Sequence, residues 1–502
     1  FVHTENVYAA SFNMGVANHW AEPFMRNLYN RGLMSGDSNG NMNPNKPITR
    51  AEFISIINRT FNYSAKGKNP FKDVTGTEWY AADIITAYNQ GYFSGDGKNT
   101  ANPKGQLTRE QAVALLGRNL QIEEASGETF TFSDSRSIAN WSRGYVNASS
   151  EKGFISGYKD GTFKPQNYIT RGEVAKVLSD AIGELVNHSG TRTLGYQEGN
   201  VTIAASGVTL ADTVIKGDLY ISGGVGLGST TLENVHVMGQ VIINGTGESQ
   251  AGKSSITFED CTITSLIIPD TKGSIKSVKL TGNTIVDETL VKANTYLEET
   301  ASKGGGFKNV VLNGAAKTEL HLAGLFDQVT VKGAQNNLYL DKDTVGKLIV
   351  DEEAKNSKVF LDSGTFVDGL YTDVGVAVSG TGEVGYLKVN SAGSSISMLP
   401  EEVEIRPGLT ANVNGKSMTS NDAGESAKTP AFLTDYPDVE DVGPTDTIAK
   451  FKTNKPGTVY WAITYYDDGR PDIDEIIKPG KYETTVKKNG SLQVTSGKEF
   501  TV

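Results

Sequence analysis

Ile169-Thr170-Arg171-Gly172-Glu173-Val174 is one of three copies of a single stretch, and the three together decide how the first part of the chain folds. The other two are Ile48-Thr49-Arg50-Ala51-Glu52-Phe53 and Leu107-Thr108-Arg109-Glu110-Gln111-Ala112. Each sets Thr-Arg after an apolar residue, then a variable residue, Glu or Gln, and an apolar helical pattern. This is a capping box. The Thr hydroxyl accepts from the third helical N–H, and the Glu or Gln reaches back to the Thr N–H. The sequence therefore expects helix caps at Thr49/Glu52, Thr108/Gln111 and Thr170/Glu173. An Arg at the first helical position is unfavourable against the helix dipole. Free N–H groups beside that Arg would make a small anion site. The plain alternative is an arginine paired with an acidic neighbour, and repetition in register favours the anion site.

Working outward, Trp20, Trp79 and Trp141 each stand 29 positions before a capping Thr. Gly36, Gly95 and Gly157 follow the Trp by 16 positions, and Pro44, Pro103 and Pro165 follow the Gly by 8. Phe12, Phe71 and Phe132 lie a short way upstream of each Trp. The unit reads as helix, glycine-bounded loop, helix. In the third copy the first helix carries Trp141, Tyr145, Val146 and Ala148 and stops at Gly153, a C-terminal glycine signal. Asp160-Gly161 makes a turn. The second helix sets Val174, Val177, Leu178 and Ile182 on one face. The tryptophans read as core residues. Such a unit cannot bury its own apolar face, so three copies should pack together.

These units resemble surface-layer homology (SLH) repeats, whose hallmark tetrapeptide is Thr49-Arg50-Ala51-Glu52. The family's glycine loop runs from Gly157 through Asp160-Gly161 and Phe163 to Pro165. The resemblance covers about residues 12 to 188. It implies a three-fold pseudo-symmetric spindle that binds a secondary cell-wall polysaccharide noncovalently, often one with pyruvylated amino sugars. The ligand would lie in grooves between repeats, with Arg50, Arg109 and Arg171 facing its negative charge. A pyruvyl ketal is a compact carboxylate, suited to the planar guanidinium. Loop glycines Gly36, Gly95, Gly157 and Gly161 would let the sugar approach the backbone, and Lys159 and Asp160 of the same loop are expected among the glycan-binding residues. Replacing all three arginines by Ala is expected to abolish wall binding while the fold remains. The copies differ: Glu110-Gln111 replaces Ala-Glu, Lys98-Asn99 replaces Asp-Gly, and Met14-Gly15 stands where the others show Asp73-Val74 and Asp134-Ser135. The three grooves are therefore not expected to bind equally.

With 502 residues the chain should hold about three domains. Its 21% charged and 37% hydrophobic residues read as soluble and folded, and 56 Gly against 15 Pro suit a turn-rich architecture. A net charge of −11 argues against nucleic acid as partner. Cys261 is the only cysteine, so no intrachain disulfide can form. No apolar run approaches the roughly 20 residues of a membrane span. The start at Phe1-Val2-His3-Thr4 reads as a mature or trimmed terminus.

From about Gly195 short β-rich runs replace the helical pattern, such as Gln240-Val241-Ile242-Ile243, Leu348-Ile349-Val350 and Val359-Phe360-Leu361. They recur to about Ile405 between Gly, Asn and Asp turns. This suits a parallel β-helix whose coils stack inward Val, Ile and Leu. A β-sandwich is the alternative, disfavoured by the scarcity of Asn-Gly hairpin signals. Some β-helices are polysaccharide lyases or hydrolases. Their chemistry needs clustered carboxylates, or a carboxylate with a basic partner. Glu259-Asp260 and the run Asp341, Asp343, Asp351, Glu352 and Glu353 read instead as solvated turns. His236 and His321 read as isolated, Cys261 as a small buried hydrophobe. No catalytic constellation and no metal-ligand spacing are found. Structural calcium at the acidic turns is the one cofactor left open.

Residues Asn421 to Pro430 read as a polar linker. Thr447–Thr453 and Gly457–Tyr466 then alternate as strands about an Asp467-Asp468-Gly469 turn, loosely like an immunoglobulin or fibronectin sandwich with Trp461 in its core. The expected domains are repeats at 1–62, 63–126 and 127–190, a β-helix-like domain at 191–425 and an immunoglobulin-like domain at 426–502. The fold class is multidomain: an α-helical three-repeat spindle, an all-β solenoid and a β-sandwich. The functional expectation is a non-enzymatic extracellular surface-layer protein of a Gram-positive-type wall, partnered by the wall polysaccharide and by copies of itself. The alternatives are an exported polysaccharide-degrading enzyme carried on the same repeats, or an adhesin.

Overall fold

The computed structural model describes residues 15–64, 67–125, 132–226, 228–245, 256–270, 275–301, 305–342 and 344–420, with the strand backbones of 438–440, 448–452, 457–464, 486–494 and 499–501. It divides into two compact units, residues 1–320 and 321–502.

The first unit opens with six helices: α1 (Glu22–Asn30), α2 (Arg50–Thr60), α3 (Ala81–Gln90), α4 (Arg109–Asn119), α5 (Asn140–Glu151) and α6 (Arg171–Ile182). The expected capping boxes are all formed, at the starts of α2, α4 and α6. The second helix of each repeat packs on the first helix of the next, α2 on α3, α4 on α5 and α6 on α1. That order returns to its beginning. A triangle of backbone hydrogen bonds closes it: Ile48 N–H to the Ile169 carbonyl (3.1 Å), Ile169 N–H to Leu107 (2.9 Å), Leu107 N–H to Ile48 (3.2 Å). Ile48, Leu107 and Ile169 are almost wholly buried at this junction. No repeat hides its apolar face unaided, so the three share one core of α1 to α6 residues.

The tryptophans depart from expectation. Trp20, Trp79 and Trp141 are 53%, 63% and 47% exposed. Buried positions near the head of each first helix fall to the following residues, Ala21, Tyr80 and Ser142. Trp141 lies within α5, where one residue is a rotation of about 100°, while Trp20 and Trp79 stand in the turns that lead into α1 and α3. Phe71 and Phe132 are buried; Phe12 and Met14 lie outside the described residues.

Parallel β structure starts earlier than the expected boundary at 190/191, which falls within the strand Gly190–Gln197. The first strand is Glu184–Val186. The cause is Gly183, which ends α6 at φ +60°, so close to the next coil that a Cβ there would lie 1.8 Å from the Asn200 carbonyl oxygen. From that point strands pair in parallel register, coil upon coil, as the solenoid reading expected. One inward column in this unit runs Val201, Leu219, Val241, Leu266, Thr289, Val310, every member buried. The outward neighbours Tyr220, Ile242 and Ile267 join the helical core. Ser222 Oγ donates to the Phe61 carbonyl at the end of α2 (2.7 Å), and Arg31 donates to the Leu185 carbonyl (3.0 Å).

The second unit carries the same parallel construction, with an inward column Val329, Leu348, Leu370, Leu387. On its outer side His321, Tyr339 and Phe360 stack nearly flat, with centroids 4.4 and 4.6 Å apart. His321 is therefore not isolated, as the sequence reading had it: the solenoid brings residues of neighbouring coils into line. Beyond residue 420 the described strands pair antiparallel. The polar linker and the Asp467-Asp468-Gly469 turn lie outside the described residues, as does the side chain of Trp461.

Candidate functional site

Helices α2, α4 and α6 begin with N–H groups that an α-helix leaves unpaired. Here they are all used. Arg50 and Ala51 N–H donate to the Gly105 and Pro103 carbonyls (2.8 and 2.9 Å). Arg109 and Glu110 donate to Asn167 and Pro165 (2.9 and 3.2 Å), and Arg171 and Gly172 to Lys46 and Pro44 (3.0 and 2.9 Å). The third N–H goes to the capping Thr hydroxyl. The expected anion site of free N–H groups is thus corrected, because carbonyls of the neighbouring repeat occupy those donors.

The arginine side chains follow the same cycle. Arg50 Nη1 donates to the Ala101 and Asn102 carbonyls, both at 3.0 Å. Arg109 Nε donates to Phe163 (2.8 Å), and Arg171 Nε to Met42 (2.8 Å) with Nη2 on Ser35 (2.6 Å). Met42, Ala101 and Phe163 are equivalent positions in the three loops, so each arginine pins the loop of another repeat. Arg109 and Arg171 are 6% and 7% exposed. The acidic pairing also exists: Arg109 meets Glu173 at 3.0 Å, and Arg171 faces Glu52 at 3.8 Å. Burial lowers the pKa of Arg50 and Arg171, while nearby carboxylates oppose that shift. These bonds correct the expectation that a triple Ala variant would keep its fold, since it would strip partners from buried carbonyls.

The loop glycines serve their own loops. A Cβ on Gly36 would come 2.7 Å from the Gly40 carbonyl, and one on Gly95 2.5 Å from the Thr100 oxygen. On Gly157 it would meet the Thr162 oxygen at 2.9 Å and Phe132 at 3.0 Å. Their small size is used to close the loop, and Gly36 also lines the cavity described below. Gly161 takes φ +78° in the expected turn. Lys159 and Asp160 lie exposed at the loop tip, where Asp160 accepts from the Thr162 hydroxyl (2.5 Å), pairs with Lys164 (2.9 Å) and accepts from Thr162 N–H (3.0 Å). Those bonds hold the Asp160 pKa down at about 2.

What the fold does bring together is a cavity of about 180 Å³ to which all three repeats contribute. Repeat one supplies Gly36, Lys46, Glu52 and Arg59; repeat two supplies Trp79, and repeat three Arg171. Three cations, Lys46, Arg59 and Arg171, face two carboxylates, Asp37 and Glu52, beside an exposed indole. Asp37 on the wall accepts from Asn39 and Asn41 N–H and from Asn43 Nδ2, all within its own loop. Sequence reasoning missed Trp79 and Arg59. Their positions were visible, but not that the turn before α3 and the last turn of α2 would bring them to one cavity. It also missed the loop clamps: Asp73 accepts from Ala101 and Asn102 N–H, and Asp134 from Phe163 and Lys164 N–H, all at 2.8 Å.

The acidic runs of the solenoid serve turns. Asp260 Oδ1 accepts from Asn283 N–H (2.8 Å), and Asp351 Oδ1 from Glu353 N–H (3.0 Å); Asp343 lies outside the described residues. Asp341 lies 3.7 Å from His321. Cys261 is buried, with its thiol on the Leu232 and Glu259 carbonyls, and burial pushes its pKa up to about 11. Among the described residues no three His, Cys, Asp or Glu side chains gather where a metal could bind, and no helix is long and apolar enough to cross a membrane.

Residues 16–54, 70–113 and 131–175 match the S-layer homology domain, so the chain carries three of these repeats. An amylopullulanase of Thermoanaerobacterium thermosulfurigenes is 35% identical over 177 residues, 34% of this chain and 9% of that protein. Exoglucanase XynX of Acetivibrio thermocellus is 32% identical over 34% of this chain and 16% of its own length. The surface-layer 125 kDa protein of Lysinibacillus sphaericus is 31% identical over 32% of this chain and 14% of its own. The chain thus spans less than a fifth of each of these relatives. The solved structure of chitinase ChiW from Paenibacillus sp. str. FPU-7 aligns with 49% of this chain and 21% of its own, at 20% identity and a TM-score of 0.29.

Proposed function

We propose that the three S-layer homology repeats hold this protein noncovalently on a bacterial cell wall by gripping a secondary polysaccharide that bears carboxylate groups, pyruvyl ketals being the best fit. The observation that carries this reading is the cavity where Lys46, Arg59 and Arg171 meet Trp79. A carboxylated sugar would offer its charge to the guanidinium groups and an apolar ring face to the indole. The spindle expected of such repeats agrees with the cyclic bonding of Ile48, Leu107 and Ile169. The β-solenoid projects as a non-catalytic body of an extracellular surface layer, assembling with further copies of the chain. The acidic runs engaged in turns support a body without catalysis.

The test is co-sedimentation of the purified chain with wall sacculi before and after chemical removal of the secondary polymer. Binding should vanish with the polymer and weaken as salt rises. Binding that survives stripping would refute the anchor. A second reading rests on the relatives named amylopullulanase and exoglucanase, which share this repeat segment. Release of reducing sugar from wall polymers by the purified chain would favour it over a non-catalytic body.

A further inference from the structure

The three grooves are built from equivalent positions but are in different states. In the groove of repeat three, the position held elsewhere by Asp37 and Asp96 is Tyr158. Its hydroxyl donates to Glu173 Oε1 at 2.6 Å, and the same oxygen lies 3.0 Å from Arg109 Nη1. The Arg109 guanidinium carbon sits 4.6 Å from the Tyr158 ring centroid and 5.0 Å from that of Phe163. Charge, hydrogen-bonding edge and flat face of this arginine are all met by the chain itself.

The other two grooves are not occupied in this way. In the groove of repeat one, Asp37 is held by its own loop, and Arg171 stands 3.8 Å from Glu52 beside the open cavity. In the groove of repeat two, Asp96 is likewise held by Lys98 and Thr100 N–H of its own loop. The capping residue there is the neutral Gln111, which still accepts from Thr108 N–H at 3.2 Å. Asp96 and Asp73 act on Arg50 through space, and among the described residues neither forms an ion pair with it.

We infer that Tyr158 and Glu173 act as a built-in occupant of the third groove, so that the chain binds anionic saccharide at two grooves, those of repeats one and two. A carboxylated sugar entering groove three would have to displace a carboxylate already paired at 3.0 Å and a phenol already seated on the guanidinium. In groove two it would meet Arg50, whose neighbouring carboxylates Asp96 and Asp73 are each bonded to backbone N–H groups of the loop rather than to the guanidinium. This inference rests on the anchoring function proposed above and adds which grooves perform it.

The test is calorimetric titration of the full chain with a pyruvylated N-acetylhexosamine glycoside. The wild type should take up two equivalents. Tyr158→Asp combined with Glu173→Gln gives groove three the residues of groove two and should raise the number to three. Glu173→Gln alone is the guard against misfolding, because Gln111 shows that glutamine preserves the capping box; far-UV circular dichroism checks both variants. A wild type that binds three equivalents, or a folded double variant that still binds two, overturns the inference and leaves the anchor standing. No uptake by any form overturns both.

Discussion

Arg171 Nε donates to the carbonyl of Met42 at 2.8 Å, joining residues 129 positions apart in the chain. The third repeat is thereby fastened to the loop of the first, by a residue that also faces the cavity between them. Stability and, in the proposed anchor, recognition fall on the same guanidinium.

Removing that guanidinium should therefore be costly before any ligand is present. Arg171→Ala leaves the Met42 and Ser35 carbonyls without their donor in a buried setting, a loss of about 2–5 kcal/mol. Arg171→Lys should recover little, since an ammonium cannot match the fork of the guanidinium. Urea unfolding of the helical signal measures both. A midpoint equal to wild type would show that the bond to Met42 is dispensable.

Trp79 should behave in the opposite way. Being 63% exposed, it can be changed to Ala with a stability cost within about 0.5 kcal/mol. Loss of its face from the cavity should weaken binding of the pyruvylated glycoside about tenfold, the effect of roughly 1.4 kcal/mol. Unchanged affinity would place the saccharide elsewhere.

Lys276 should give the solenoid a pH signature. It is 2% exposed, its Nζ donates to the Asn244 carbonyl at 2.7 Å, and burial pushes its pKa down to about 7 from 10.5. Between those values the unfolded chain holds a proton that the folded chain lacks. Stability therefore rises with pH from about 7 towards 10.5, by at most about 1.4 kcal/mol per pH unit from this residue, and its penalty is full below 7. Thermal melts at pH 7, 8 and 9 should show a rise in the wild type that Lys276→Met flattens. Parallel profiles would remove Lys276 as the source.

Cys261 should be inert until the solenoid opens. A buried thiol with its pKa near 11 presents almost no thiolate at pH 8. A disulfide reagent should label none of the folded chain and one thiol per chain in denaturant. Rapid labelling of the native protein would mean that the surrounding coils open readily.

The parts of this design legible in the sequence are those written in local chemistry. Thr170 and Glu173 sit three apart, and that spacing alone specifies the cap that forms. Short apolar runs such as Leu348-Ile349-Val350 foretold stacked strands, because each inward side chain meets its like one coil away. The target of Arg171 was hidden for a physical reason: Met42 contributes only a backbone oxygen, which every residue possesses. The outward turn of Trp20, Trp79 and Trp141 was hidden because at the head of a helix a shift of one residue exchanges core for surface, and Trp20 and Trp79 stand in the turn before the helix begins. Tyr158 was visible as a letter, but its partner Glu173 had already been assigned to the cap. In the structure Glu173 does both, with Oε2 on the Thr170 N–H and Oε1 on the phenol.

The triangle of Ile48, Leu107 and Ile169 has a mechanical consequence. A pull arriving through the strands enters the helices at several points: Ser222 on the Phe61 carbonyl, Asp218 on Lys152, and Glu184, where α6 gives way to strand and Arg31 of the first repeat holds both the Glu184 carboxylate and the Leu185 carbonyl. The load is therefore divided at once between the last repeat and the first. A linear string of repeats would peel from its end, one unit at a time. A closed ring offers no end to peel, so the helical repeats resist until the ring itself parts.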